Sequence, residues 1–555
     1  MRRLIPCTGT LLVLLSLAAP ARAATTDAAP AAVAVGSDPQ SVADRVDAAL
    51  ATELFATSEA RAALAPRTDD ATFLRRAWLD LIGDLPTPEH VIAFALDGGA
   101  DKRPRAVDGL LADAQYGANW ARYWRDVIFY RRIEDRALIA ANALEADLSA
   151  KLNADVPWDH VAAEFITAQG DVRENGATAL IMAQDGRTEE TAAEVARIFL
   201  GMQIQCAQCH DHPYDRWKRE EFHELAAFFP RIAVRPVLSA TQRSFAVVAS
   251  DRPARRRANN NENRPTPEHF MPDLEDPTAP GTRMQPKFFL TSAALPYGAP
   301  DEDRRARLAD WLTGNEWFAQ AAVNRVWAEL VGEGFYEPVD DLGPNRTATA
   351  PQALAILSEG FRDSGYSMKW LLRTIMGTEA YQRQSRPRRE SGQGTPFAAN
   401  VPQPLRADQL YNCVLSALDR SEPEPARRRG GGGMGGYGRN RGPRGQFNQT
   451  FGYDPSDPRE GIAGSIPQVL AMMNSPEVAG AASGLRPGLL KRLLAETPAD
   501  DDLVLEVYLQ TLSREPCPDE LATAVAYLAG PHPRREAAED LLWALLNSAE
   551  FRHRR

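Results

Sequence analysis

The sequence predicts a mainly α-helical protein, with two helical modules joined by an extended, proline-rich connection that carries a small β element. Three observations lead there. Apolar residues recur at three- and four-residue spacing in stretch after stretch, both before residue 235 and after residue 301. Between these limits the period is lost and proline, arginine and asparagine take over. The length, 555 residues, exceeds what one hydrophobic core holds and suits two or three domains. With 44% hydrophobic and 25% charged residues the chain can build large cores. Its net charge of -11 argues against nucleic acid as the main partner.

The chain opens with Arg2 and Arg3, an apolar run from Leu11 to Ala19, and Ala21-Arg22-Ala23. This is the pattern of an export signal over residues 1–23, cleaved before Ala24. The apolar run is too short to span a bilayer, and no later stretch is long and apolar enough. Residues 24–40, rich in Ala, Thr and Pro, read as a flexible tether.

Residues 41–235 read as the first helical domain. Val42, Val46, Ala49 and Leu50 share a helix face. A helix over Thr72–Ile82 stops at Gly83, and Thr87-Pro88-Glu89 starts the next with a cap, a proline at the first position and an acid in the first turn. Helical spacing continues through 108–113 and 119–131, where Trp120, Trp124 and Ile128 form a stripe read as core. Further helices are expected over 158–168 and 189–205, the latter with Val195, Ile198, Phe199 and Met202 on one face. Phe222, Leu225, Ala226 and Phe229 repeat the spacing before Pro230.

Residues 236–300 form the connection. Phe245 to Val248 suggests strand, 254–265 a loop, and 271–299 an extended run. Residues 301–555 read as the second helical domain, with a solvated, disordered Gly/Arg insert at 427–446. The ends of the chain echo each other. Trp78 to Glu89 resembles Tyr508 to Asp519, and Leu110 to Tyr116 resembles Leu545 to Phe551 and, less closely, Ile375 to Tyr381.

The chemistry concentrates in Gln205-Cys206-Ala207-Gln208-Cys209-His210-Asp211-His212-Pro213-Tyr214-Asp215-Arg216-Trp217, which holds two of five cysteines and two of eight histidines. Cys-x-x-Cys-His is the attachment pattern of a c-type haem: two thiols at the spacing of two vinyl groups, and an adjacent imidazole for the iron. Attachment occurs outside the cytoplasm, which agrees with an export signal. Cys206, Cys209 and His210 are therefore the expected haem c residues. A zinc site is the alternative, with Cys206, Cys209 and His210 or His212, completed by His223 or Asp215. A Cys206–Cys209 disulfide and a pair of unmodified core cysteines also fit the spacing. Candidates for a sixth iron ligand are Met182, His160, His223 and Met284; candidates to pair with haem propionates are Arg197, Arg216 and Lys218. Asp211, Asp215 and Arg216 are expected to cap and pin the turn, and Cys413 and Cys517 to stay unpaired. No G-x-S-x-G, P-loop or H-E-x-x-H is present, and no catalytic residue stands out.

Phe73 to Pro88, Tyr116 to Asp126 and Phe199 to Trp217 resemble the planctomycete secreted cytochrome-associated domain. Val323 to Trp327, Ser364 to Leu371, Ala471 to Pro476 and Leu509 to Arg514 resemble the planctomycete secreted domain that follows it. The resemblance implies architecture and an exported location, but no reaction. The family often carries a further cytochrome-c-like domain at its start, for which there is no room between Ala24 and Ser41. Two departures stand out: Thr349-Ala350-Pro351 replaces a His-Pro pair, and His223 replaces a tyrosine.

These readings predict an exported cell-envelope protein with an electron-transfer or haem-redox role and an envelope redox partner. An extracellular scaffold stiffened by a metal or disulfide is the second reading, and a polysaccharide-related hydrolase, by analogy of habitat, the third.

Overall fold

The computed structural model describes residues 38–238, 243–251, 267–276, 278–387, 394–422, 442–457, 465–474 and 483–555. The expected export signal at 1–23, nearly all of the expected tether, the loop expected at 254–265 and most of the expected Gly/Arg insert lie outside them. Among the described residues the fold is mainly α, with one three-stranded and three two-stranded sheets. None of its helices is long and apolar enough to cross a membrane.

Local chemistry sets the helix starts. Asp69 accepts from the Thr72 amide at the head of Asp70–Leu81, Thr87 from the His90 amide at the head of Pro88–Leu96, and Ser367 from the Trp370 amide at the head of Met368–Gly377. Each bond satisfies an amide that the first turn leaves without a partner. Asp38 does the same for Pro39–Glu53, so Pro39 and Gln40 are helical rather than tether. Residues 443–446, expected in the disordered insert, are the first turn of Pro443–Phe451. Pro443 suits that first turn, and Phe447, buried against Tyr411, stacks on the buried Phe451, which gives the helix the apolar anchor that the Gly/Arg composition around it lacks.

The β element begins earlier than expected. Ile232–Leu238 pairs antiparallel with Arg243–Ala249, Ala233 opposite Val248 and Val234 opposite Val247, and Gly170–Asp171 adds a short third strand. Four two-residue strands follow within 270–294.

The hydrophobic core does not divide at the connection. One cluster of buried side chains runs from Val42 to Ala398 and takes residues from both sides of 236–300. Pro39–Glu53 packs on Pro351–Asp363 and Met368–Gly377, and Trp158–Thr167 packs on Asp301–Thr313. A second cluster gathers residues 405–551 together with Leu79 and Leu85. The physical reason is the short N-terminal helices. Each has an apolar stripe that must be covered, and the covering surface lies far along the sequence.

The internal echo is structural. Gly83 and Ser513 both take left-handed backbone conformations at φ 75° and 57°. Thr87 and Cys517 are both helix caps, each followed by a proline at the first helical position. Asp113, Ser548 and Thr378 cap the shorter units, and the aromatic residue that follows each cap, Tyr116, Phe551 or Tyr381, is fully buried. The two long units meet where Leu74 and Val91 pack against Leu509.

Candidate functional site

The cysteine stretch lies between two amphipathic helices. The incoming helix, Thr188–Leu200, ends five residues earlier than its periodicity predicts. Gly201 stops it with φ 66°. A Cβ there would sit 2.9 Å from Leu342 Cδ1, so the positive φ and the close approach both favour glycine; the Gly201 carbonyl also accepts from the Leu342 amide at 2.8 Å.

The chain then winds as a 3-10 turn, Ile204–Gln208. Side chains three apart eclipse in that geometry. Ile204 and Ala207 accordingly turn inward together, and Cys206 and Cys209 turn outward together. Both thiols are exposed and free; Cys413, which is buried, and Cys517, which is exposed, are free as well. The Cys206–Cys209 disulfide weighed from the sequence is not formed, and neither cysteine belongs to the core.

His210 is exposed beside them, its Nδ1 2.7 Å from the Asp211 carbonyl. A carbonyl only accepts, so Nδ1 carries the proton and Nε2 keeps its lone pair facing outward from that bond. Asp211 pins the turn as expected: it accepts from Lys218 Nζ at 2.7 Å and from the Arg219 amide at 3.1 Å. The Lys218 bond and then the Arg219 amide hold its carboxyl below the usual range. Arg219 opens the outgoing helix, Arg219–Ala226, whose first turn is also held by Glu221 accepting from the Lys218 amide. Asp215 accepts from the Arg216 amide at 2.7 Å. Beneath the turn, Trp217 is buried edge-on to Phe289, with ring centroids 5.0 Å apart, and Arg216 lies over its ring.

The alternative metal ligands are engaged elsewhere. His212 Nδ1 accepts the amides of Tyr214 and Asp215, at 3.3 and 2.9 Å, and so shapes the loop. Asp215 holds the Arg216 amide through Oδ1. His223 is buried, with Nε2 3.0 Å from the Gln208 carbonyl and Nδ1 2.8 Å from His269 Nε2. Its Nε2 must donate to the carbonyl, so its Nδ1 accepts the His269 proton and no lone pair remains for a metal. Burial pushes both imidazoles down to about 4, which keeps them neutral. Among the described residues, no group of three or more His, Cys, Asp or Glu side chains is arranged to hold a metal ion.

The other candidates are placed as follows. Met182 and Met284 are buried, and His160 is exposed on the helix Trp158–Thr167. Arg197 is not available to a propionate: it is buried, paired with Glu194 at 2.6 Å and Asp340 at 3.2 Å. Lys218 is exposed but bound to Asp211, and Arg216 is exposed on Trp217. Sequence reasoning missed His269. It lies 46 residues beyond His223, and nothing in the local pattern links the two.

The fold and the turn together define a mainly helical protein that presents a Cys-x-x-Cys-His surface turn. Residues 45–234 match the model of the family PSCyt2, a protein of unknown function (DUF1549), and residues 304–432 match that of PSD1, a protein of unknown function (DUF1553). The chain thus carries two domains of unknown function in tandem, and the turn lies within the first. No curated protein matches the chain, and neither does any solved structure.

Proposed function

We propose that the turn holds one haem c, with Cys206 and Cys209 bound as thioethers and His210 as an axial ligand, and that the protein is an exported electron-transfer protein of the cell envelope. The observation that carries this reading is the shared outward face of the two thiols beside an imidazole whose Nε2 is left free. The donor set fits the group: two unpaired thiols and one neutral nitrogen, oriented by a backbone carbonyl through its other nitrogen. When bound, a haem there supplies one-electron chemistry. The chain's own part is to fix the tautomer of His210 through Asp211, to brace the turn through Lys218 and Arg219, and to keep Trp217 and Ala207 as its apolar base. An exposed attachment turn suits contact with a redox partner in the envelope. The export signal and the resemblance to planctomycete secreted cytochrome-associated proteins point the same way.

The test is export of the full chain from a host that matures c-type cytochromes, followed by intact mass and absorption measurements. A covalent gain of one haem with a reduced haem spectrum, lost in Cys206→Ser and Cys209→Ser, is expected. A colourless protein with both thiols free, or bridged to each other, overturns the proposal.

A further inference from the structure

A second site lies away from the cysteine turn. A cleft of about 840 Å3 opens between Asp70–Leu81, Pro88–Leu96 and Lys102–Ala112 on one side and residues 416–421 with Gln510 on the other. That is the volume of a cleft for a small organic ligand. It forms where the two echoing helical units meet, so both ends of the chain contribute to it.

One wall is aromatic and held in place. The rings of Trp78 and His90 lie 4.8 Å apart. Thr87 Oγ1 is 3.0 Å from His90 Nδ1 and fixes that ring. Trp78 and Phe94 pack against Leu74, Val91 and Leu509, and Phe94 is stacked on Phe73 with Lys102 Nζ 4.9 Å from its ring. A ligand would meet a shelf already in position, with little ordering cost.

The rest of the lining mixes apolar side chains such as Ile82, Leu85 and Leu110 with polar ones, and several of its charges are already matched. Arg105 pairs with Asp97 at 2.7 Å, Lys102 with Asp70 at 2.6 Å, and Asp419 with Arg492 at 3.3 Å. Asp84 accepts from Ser416 Oγ at 2.7 Å and from the Leu85 amide at 2.8 Å. A strongly charged ligand finds no uncompensated counter-charge in these pairs. A wholly apolar one would strip water from several carboxylates without replacing their hydrogen bonds. A neutral ring compound with a C–H face and hydroxyl edges satisfies both walls. Its C–H groups meet the electron-rich faces of Trp78 and His90, and its hydroxyls meet Asp113, Gln115 and the second lone pairs of the paired carboxylates.

We propose that this cleft binds a neutral oligosaccharide, two or three sugar rings long, with Trp78 and His90 as the stacking platform. The site is independent of any haem on the distant motif.

Isothermal titration of the exported full chain against maltotriose, cellotriose and xylotriose tests it, with a trimer of uronic acids and an amphipathic helical peptide as the competing ligand classes. Saturable binding of at least one neutral trisaccharide is expected, weakened about tenfold in both Trp78→Ala and His90→Ala. His90 is exposed, so its variant keeps the fold, which is checked by an unchanged melting curve. Absence of binding by all three sugars at ~10 mM overturns the proposal. So does binding unaffected by the His90 variant, or a preference for the uronic acid trimer or the peptide.

Discussion

His223 donates a hydrogen bond from Nε2 to the backbone carbonyl of Gln208, 3.0 Å away, and so ties the outgoing helix to the residue just before Cys209. His223→Ala would leave that carbonyl and the His269 Nε2–H with no imidazole to pair with in a buried setting. A loss of about 2 kcal/mol is expected in chemical denaturation. Limited proteolysis should cut between Gln208 and Trp217 sooner than in the parent.

The same pair sets a pH dependence. Burial lowers both imidazoles to about 4, against 6.5 for the unfolded chain. Between these values the unfolded state takes up protons that the folded state refuses. Stability is therefore full above about pH 6.5 and falls as the pH drops towards 4, by at most about 1.4 kcal/mol per unit for each histidine. Urea midpoints at pH 5 and pH 7 should differ less in the double variant His223→Gln, His269→Gln. An equal difference would show that the pair does not titrate this way.

Gly201 governs where the incoming helix lets go. Gly201→Ala places a methyl against Leu342 at a left-handed position, so a loss of about 1–3 kcal/mol is expected. If the turn holds a haem as proposed, its displacement should also lower the yield of covalent haem at 37 °C. Leu342→Ala in the same chain relieves the clash but not the backbone strain, so it should restore only part of the stability.

The helices and the cysteine turn were legible because both are local. Periodicity marks a buried face, and caps such as Thr87 and Ser367 mark its ends. Ala141–Asn153 is among the helices that escaped notice, although Leu144, Leu148 and Leu152 are all buried at four-residue spacing. Alanines between them dilute the contrast between its faces. What periodicity does not name is the partner of each face. The packing of Pro39–Glu53 on Pro351–Asp363, the pairing of His223 with His269 and that of Arg197 with Asp340, 143 residues apart, all depend on topology. Arg197 dropped out as a candidate partner of a propionate for that reason. Nearness in sequence to the cysteines said nothing of a carboxylate supplied by the other half of the chain.

That carboxylate carries its own prediction. Asp340 is fully buried and accepts from Gln203 Nε2 at 2.5 Å and from Arg197 Nη1 at 3.2 Å, while Arg131 and Arg325 stand at 3.7 and 4.0 Å. Burial alone would raise its pKa, but Arg325, Arg197 and Arg131 outweigh it and hold the carboxyl below the usual range. Its contribution is thus present above the unfolded value of about 4 and is lost as the pH falls below it. Asp340→Asn should cost about 3 kcal/mol at pH 7, because buried guanidinium groups lose their counter-charge. The gap between variant and parent should narrow at pH 3; a constant gap in calorimetry would mean the carboxylate contributes packing only.

Arg554 makes the corresponding lock at the other end. It pairs with Asp80 at 2.5 Å, donates to Asn400 Oδ1 at 2.9 Å, and bonds the Leu330 carbonyl, all in a buried setting. Asp80 also accepts from the Tyr381 hydroxyl at 2.8 Å. Burial pushes the Asp80 carboxyl up, so it is the Arg554 charge that keeps ionisation tolerable. Arg554→Met should cost about 3–5 kcal/mol, since it strands an anion rather than merely removing a contact. Asp80→Asn added to it removes the stranded charge and should recover part of the loss, giving a coupling of at least about 1 kcal/mol in a double-mutant cycle. Additive losses would mean that the two residues stabilise separate regions, with Arg554 anchored through Asn400 and the Leu330 carbonyl instead.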